Sequence, residues 1–191
     1  MEDSYLDPNI NELDKGARKR RQIILNTLEL ISKSGIENIT FEKIANTLRT
    51  TKSHVSYYYP DKNKLFFECM IYCQKHYSLF VQHALERYNG QDSLDVYIKA
   101  SFTWAKQNTS LRNYIILSQF YSVINPEFTE IKNKFDSEES IFIENILLSM
   151  GIKTYEGLSL TIHKVLLAWQ IDNDLENTLS YARKNILSLL P

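Results

Sequence analysis

Between Lys62 and Tyr88 the chain contains neither glycine nor proline, and its 191 residues include only five glycines and four prolines in all. A sequence so poor in turn-formers is steered toward long helices, because tight connections draw on the very residues it lacks. At about 1.5 Å of rise per residue, the unbroken stretch predicts one helix of roughly 40 Å. No strand-like alternation and no internal repeat competes with this reading. The expected fold is all-α, with about nine helices.

The few breakers then divide the chain. Ile23, Ile24, Leu28 and Ile31 recur at helical spacing between Lys15 and Lys33, and Gly35 follows as a C-terminal cap. Thr40 can cap a helix carrying Phe41, Ile44, Ala45 and Leu48. Arg49-Thr50 interrupts, and Thr51 can cap a short helix ending near Tyr58. Pro60-Asp61 closes that helix and opens the long one, with Asp61 as its N-cap. Beyond the stop at Asn89-Gly90, Asp92 or Ser93 caps a helix to Gln107, a break follows at Asn108–Ser110, and a further helix spans Leu111–Ile124. Pro126 suits the first position of a helix reaching Met150, and the polar middle of that helix, Asp136–Ser140, predicts a kink. Thr154–Asp172 is apolar around much of its circumference and needs burial on two sides, while the last segment carries a clean apolar stripe.

Composition excludes several classes. With 43% hydrophobic and 24% charged residues the chain can build one well-buried domain or two small ones without a disulfide or metal. Cys69 and Cys73 lie on one short segment, which gives no disulfide framework and fits a reducing compartment. The longest purely apolar run, Val165–Trp169, is too short to span a membrane, and Met1–Asp14 holds five acidic residues and no apolar core, unlike a signal peptide. A cytoplasmic location is expected. The net charge of -1 hides an asymmetry: residues 15–64 carry eleven Lys or Arg against four acids, a local net of +7, and the following 127 residues a net of -3. Such a block is the footprint of a polyanion-binding module or, alternatively, a solvated basic face.

Three short helices, the second and third joined by a tight turn, form a helix-turn-helix pattern. The residues Arg21 to Ile24, Gly35, Thr40 to Ala45, Thr50 to Val55, Tyr58 to Lys62 and Leu65 resemble the N-terminal domain of TetR-family transcriptional regulators. The resemblance implies a flexible acidic arm over 1–14, a DNA-binding domain over 15–61, and a helical ligand-binding and dimerisation domain over 62–191. It further implies a dimeric repressor on a pseudo-palindromic DNA site, released by a small effector. The sequence departs from the family pattern at Arg49, where a turn glycine is usual, at Ser56, usually tyrosine, and at Tyr59, usually phenylalanine. A non-glycine residue in a left-handed turn costs of order 1 kcal/mol.

A recognition helix directs its N-terminal residues at base edges, which makes Lys52, Ser53, His54, Ser56 and Tyr57 the contact candidates. Lys52 suits guanine acceptors, and Tyr57 or Tyr58 a phosphate or thymine methyl, while Tyr59 reads as core. Thr40, Thr51 and Lys62 stand at helix starts, where backbone N–H groups favour phosphate. Lys19, Arg20 and Arg21 add long-range attraction, and Lys15–Arg21 is placed to reach a minor groove.

For a mostly apolar effector, Phe102, Trp104, Tyr114, Phe120, Tyr121 and Trp169 are candidates to line a cavity. Self-association is expected through Leu158, Ile162, Val165, Leu166 and Trp169 with Leu175, Leu179, Ala182, Ile186 and Leu189, unless these helices complete an internal core. Cys69, Cys73, His76 and His83 share one helical stripe, which raises metal or redox sensing against the plainer reading of buried thiols as small hydrophobes. His163 reads as a hydrogen-bonded core histidine. No Glu-x-x-His pair, phosphate loop, nucleophile elbow or HExxH occurs, so neither an enzyme nor a cofactor is expected. A constitutive DNA binder, a metal or redox sensor and a partner-binding module remain as alternatives.

Overall fold

The computed structural model describes residues 13–88, 92–153, 157–171 and 174–190, and the regular elements among them are all helices, with no strand. Among the described residues nine α-helices follow in order: α1 (Lys15–Ser34), α2 (Phe41–Thr47), α3 (Lys52–Tyr58), α4 (Lys62–Glu86), α5 (Ser93–Gln107), α6 (Thr109–Ile124), α7 (Pro126–Ser149), α8 (Leu158–Trp169) and α9 (Leu175–Leu187). A single 3-10 turn, Ile36–Asn38, stands between α1 and α2. The expected acidic arm lies mostly outside the described residues, as do the Asn89-Gly90 stop and Thr154.

Local chemistry sets most boundaries. The Asp14 carboxylate accepts from the Ala17 N–H at 2.8 Å and opens α1, which closes on Gly35, held at φ 83° with its N–H on the Ile31 carbonyl. Thr40 and Thr51 accept from the N–H groups of Lys43 and His54, each at 3.2 Å, and Asp61 accepts from Lys64 at 2.8 Å. Arg49 adopts φ 52° in the turn after α2, the left-handed conformation the sequence comparison anticipated. The polar middle of α7 does not interrupt it. The helix runs unbroken from Pro126 to Ser149 because Asp136 and Glu139, in its polar middle, are buried against partners on other helices rather than pulled toward solvent.

Two compact units form, one from residues 1–76 and 109–129, the other from 77–108 and 130–191. In the first, Ile23, Ile24, Leu28 and Ile31 of α1, Ile44 of α2, Val55 of α3 and Leu65 of α4 are fully buried. There α1 packs on α6 and α2 on α3. In the second, α9 packs on α5 and α8, and the core holds Tyr97, Trp104, Ile143 and Leu147. Five residues read as dimer candidates, Leu158, Ile162, Leu166, Ala182 and Ile186, are buried by the chain itself in this core. Val165, Trp169, Leu179 and Leu189 are half-buried, and Leu160, Ile171, Tyr181 and Leu187 are exposed.

Candidate nucleic-acid interface

The second helix of the helix-turn-helix is short, so what holds it matters as much as what it presents. Val55 is fully buried on its inner side, and Tyr59, just past its end, is buried with its hydroxyl donating to Glu68 Oε2 at 2.7 Å. Arg20 of α1 donates from Nη1 to the Tyr58 carbonyl at 3.0 Å, and its guanidinium lies over the rings of Tyr58 and Tyr59, 5.7 and 5.6 Å from their centroids. These contacts satisfy a C-terminal carbonyl of α3 and fix its angle. Arg20, expected as a source of long-range attraction, is thereby a residue that positions α3.

The opposite side of α3 is open. Thr51, Lys52 and Ser53 are exposed, and Tyr57 is 80% exposed with its ring edge-on to Tyr58 at 5.1 Å. A tyrosine this exposed in a helix otherwise fixed by packing contributes nothing to the core. His54 and Tyr58 are half-buried and edge-to-face at 5.3 Å, and Ser56 is half-buried. Beside α3, His54 and Tyr58 form one wall of a groove of about 440 Å³ whose other wall is Lys15, Arg18, Lys19 and Gln22 of α1. Three cations and no carboxylate line that groove. Lys19 donates to Gln22 at 3.0 Å, and Arg21 is half-buried on the same helix. At the start of α2, Thr40 stands exposed, and Lys43 reaches back to the Asn38 carbonyl at 2.7 Å. Lys62 is exposed at the first position of α4.

Sequence reasoning missed one partner. Lys52 is ion-paired at 2.5 Å with Glu42 of α2, and this hydrogen bond holds the Glu42 carboxyl below its ordinary value. The two residues lie ten apart at the starts of different helices, a relation that no single helical period reveals.

The other candidate residues divide between the units. Tyr114 is fully buried and donates to the Phe66 carbonyl at 2.5 Å, Tyr121 meets Phe66 and Phe128 edge-on, and Phe120 is 65% exposed. In the other unit, Phe102 is buried, Trp104 is buried edge-on to Tyr77 at 5.2 Å, and Trp169 stacks on Tyr181. Cys69 and Cys73 are fully buried, and desolvation pushes both thiols up, away from the reactive thiolate. His76 is half-buried and lowered by desolvation, whereas His83 is exposed. Among the described residues no three metal-ligating side chains converge, and no helix is long and apolar enough to cross a membrane.

The second unit contains a polar cluster that sequence reasoning found only in part. His163 is buried and hydrogen-bonded, as expected of a core histidine, with Nε2 3.1 Å from Asp136 Oδ1. The other Asp136 oxygen accepts from Lys132 at 2.7 Å and Lys164 at 2.5 Å. Burial works to raise the Asp136 carboxyl, but hydrogen bonds from His163, Lys132 and Lys164 outweigh it and hold the group well below the usual carboxylate range. Nearby on α7, Glu139 accepts from Tyr97 at 2.6 Å, and Tyr77 bonds both Tyr97 and Ser101. Desolvation pushes Glu139 up despite the Tyr97 hydrogen bond.

Residues 23–69, which hold α2, α3 and most of α1, match the model of the family described as bacterial regulatory proteins, tetR family. Among solved structures, a TetR-family transcriptional regulator from Marinobacter aquaeolei VT8 is similar over 89% of this chain and 88% of its own, with a TM-score of 0.65 and 21% identity. A TetR transcription regulator from Haloarcula marismortui matches over 92% of this chain and all of its own, with a TM-score of 0.75 and 14% identity. A transcriptional regulator from Saccharomonospora viridis, solved in complex with choline, matches over 91% and 98% with a TM-score of 0.75 and 14% identity. No curated protein matches the sequence.

Proposed function

We propose that this chain, whose residues 23–69 match the tetR family model, is a TetR-family transcriptional regulator that works as a dimeric repressor on a pseudo-palindromic operator and is released by a small, mostly apolar ligand. The observation that carries this reading is the two-sided character of α3. Val55, Tyr59 and Arg20 anchor one side, while Thr51, Lys52, Ser53 and Tyr57 stand open on the other within a block of net charge +7. Lys52, Ser53, His54, Ser56 and Tyr57 would meet base edges. Thr40, Thr51, Tyr58 and Lys62, with the lysine and arginine wall of the α1 groove, would meet phosphate.

Self-association is proposed through the outward sides of α8 and α9. Leu160, Tyr181 and Leu187 are exposed there, and Val165, Trp169, Leu179 and Leu189 are only half-covered. A ligand that binds better to one spacing of the two reading heads lowers DNA affinity by linkage. Choline in the Saccharomonospora structure supports a small-molecule effector for a fold of this kind. The cytoplasm, where the nucleic acid and reduced thiols are, is the proposed location.

Footprinting on the DNA beside the protein's own coding region tests the reading. Protection is expected over two half-sites, and Lys52→Ala and Tyr57→Ala should abolish it. Lys62→Ala is expected to weaken binding similarly on all sequences and to flatten the dependence of log K on log salt by about one unit. A chain that remains monomeric and protects no duplex at low ionic strength would refute the proposal.

A further inference from the structure

Glu42 stands where a carboxylate is least expected, on a cationic domain, beside the residues that the DNA-binding reading turns toward phosphates. It lies in the first turn of α2, 54% exposed, and its partner Lys52 opens α3 and is 60% exposed. The Lys33–Glu29 pair of the same unit follows the i, i+4 rule along one helix. Glu42 and Lys52 instead join the starts of two helices, so that a donor and an acceptor are presented together at the N-terminal end of the recognition helix, beside exposed Thr51 and Ser53.

An ion pair this exposed adds little to stability, so it exchanges readily for better partners. What it exchanges for is constrained. A phosphate satisfies Lys52 but leaves Glu42 facing a second anion. A G·C base pair satisfies both at once, since guanine O6 and N7 accept from an ammonium and cytosine N4 donates to a carboxylate on the adjoining edge of the major groove. An exposed glutamate is ionised at neutral pH, so Glu42 remains an acceptor whether or not Lys52 is bonded to it.

We propose that Glu42 and Lys52 act together as a donor–acceptor pair that reads one G·C base pair in each half-site and stays closed on itself over any other sequence. The proposal rests on the DNA-binding reading above and assigns Glu42 as a specificity-determining residue. Closed, the pair presents no net charge to phosphate, so Lys52 contributes nothing to non-specific binding.

The test uses the full-length chain, a duplex selected from a random pool and a random-sequence duplex of equal length, with fluorescence anisotropy across a salt series. On the random duplex, Glu42→Gln should tighten binding and steepen the salt slope by about one unit, and Lys52→Gln should do the reverse. The double variant E42Q/K52Q restores the charge balance and is expected to bind the random duplex like the wild type, yet to lose roughly ten-fold or more on the selected duplex. Selection with the wild type should return a G·C pair at one constant position per half-site, and selection with the double variant should not. A double variant that keeps the wild-type ratio of selected to random affinity overturns the proposal while leaving the DNA-binding reading intact. Selected half-sites without a constant G·C pair do the same. A wild type that binds no duplex overturns both.

Discussion

Lysine meets a carboxylate at several places in this molecule, and two of them behave as opposites. In the first unit Lys52 meets Glu42 in the open, with more than half of each side chain exposed. In the second, Lys132 and Lys164 converge on one oxygen of Asp136, whose side chain is 9% exposed, while His163 takes the other oxygen. Water screens the first pair and competes for both partners, so the pair is a poor staple and a good exchangeable contact. The second cluster has little water to fall back on. Its carboxylate has three neighbours because a buried charge needs them, and the cluster ties α7 to α8. Burial, rather than the chemistry of the groups, decides which pair is free to act.

The largest expected effect breaks the buried cluster. Asp136→Asn leaves Lys132, Lys164 and His163 facing a neutral amide, and should destabilise the protein by about 2–3 kcal/mol. That is less than the ~3–5 kcal/mol of a fully buried pair because Lys164 is partly exposed. Thermal or urea unfolding followed by circular dichroism measures it. The pH dependence sharpens the point. Asp136 titrates lower in the folded chain than in the unfolded one, so its stabilisation is complete above the ordinary carboxylate range and is lost as pH falls below it. Glu139 titrates higher when folded, so it contributes the opposite slope: stability declines as pH rises from about 4.5, where an exposed glutamate ionises. Glu139→Gln should remove that decline and Asp136→Asn should remove the acid-side loss. The same pH profile from both variants would contradict the assignment of the two signs.

The contrast also explains what the sequence could and could not disclose. Helix boundaries were legible because caps act over three residues: Thr40, Thr51 and Asp61 each bond a backbone N–H three positions on. The α3 face was legible for the same reason, since one turn of helix separates Val55 from Tyr59 and sets both against exposed Tyr57. Glu42 with Lys52, and Asp136 with His163, are relations between helices, separated by 27 positions in the second case. Periodicity carries no trace of them. It registered Asp136–Ser140 as a polar interruption, because a polar residue buried against partners and one exposed to water look alike in a hydropathy pattern. The stripe on α8 and α9 failed to declare its cover in the same way. Leu158, Ile162 and Ala182 were read as apolar and on one face, but only the packing of α9 on α5 and α8 shows that the chain buries them itself.

An intermediate case lies between the two extremes. Glu68 of α4 is 3% exposed, yet its cation, Lys64, is 58% exposed at 3.4 Å, and the buried side of the carboxylate is served by the Tyr59 hydroxyl. Tyr59→Phe removes that donor without opening a cavity, so the loss expected is that of leaving a buried acceptor unserved, about 1–3 kcal/mol. Stability to urea reports this. The end of α3 is held by the same tyrosine, so DNA affinity should fall too, but with an unchanged salt slope, because no charge is lost. A change of slope by a full unit would place Tyr59 among the phosphate contacts instead.

Glu42→Gln should leave the melting temperature of the free protein unchanged, at low salt and at about 0.5 M salt alike, because an ion pair open to water on both sides is already weakened by solvent and ions. The Asp136→Asn loss should persist at high salt, where screening reaches exposed pairs but not a carboxylate enclosed by its partners. If Glu42→Gln lowered the melting temperature as much as Tyr59→Phe, the exposed pair would be a structural tie between α2 and α3. Opening it on DNA would then loosen the very turn that aims the recognition helix. A pair that costs the fold nothing to open can be used for reading; one that the fold depends on cannot.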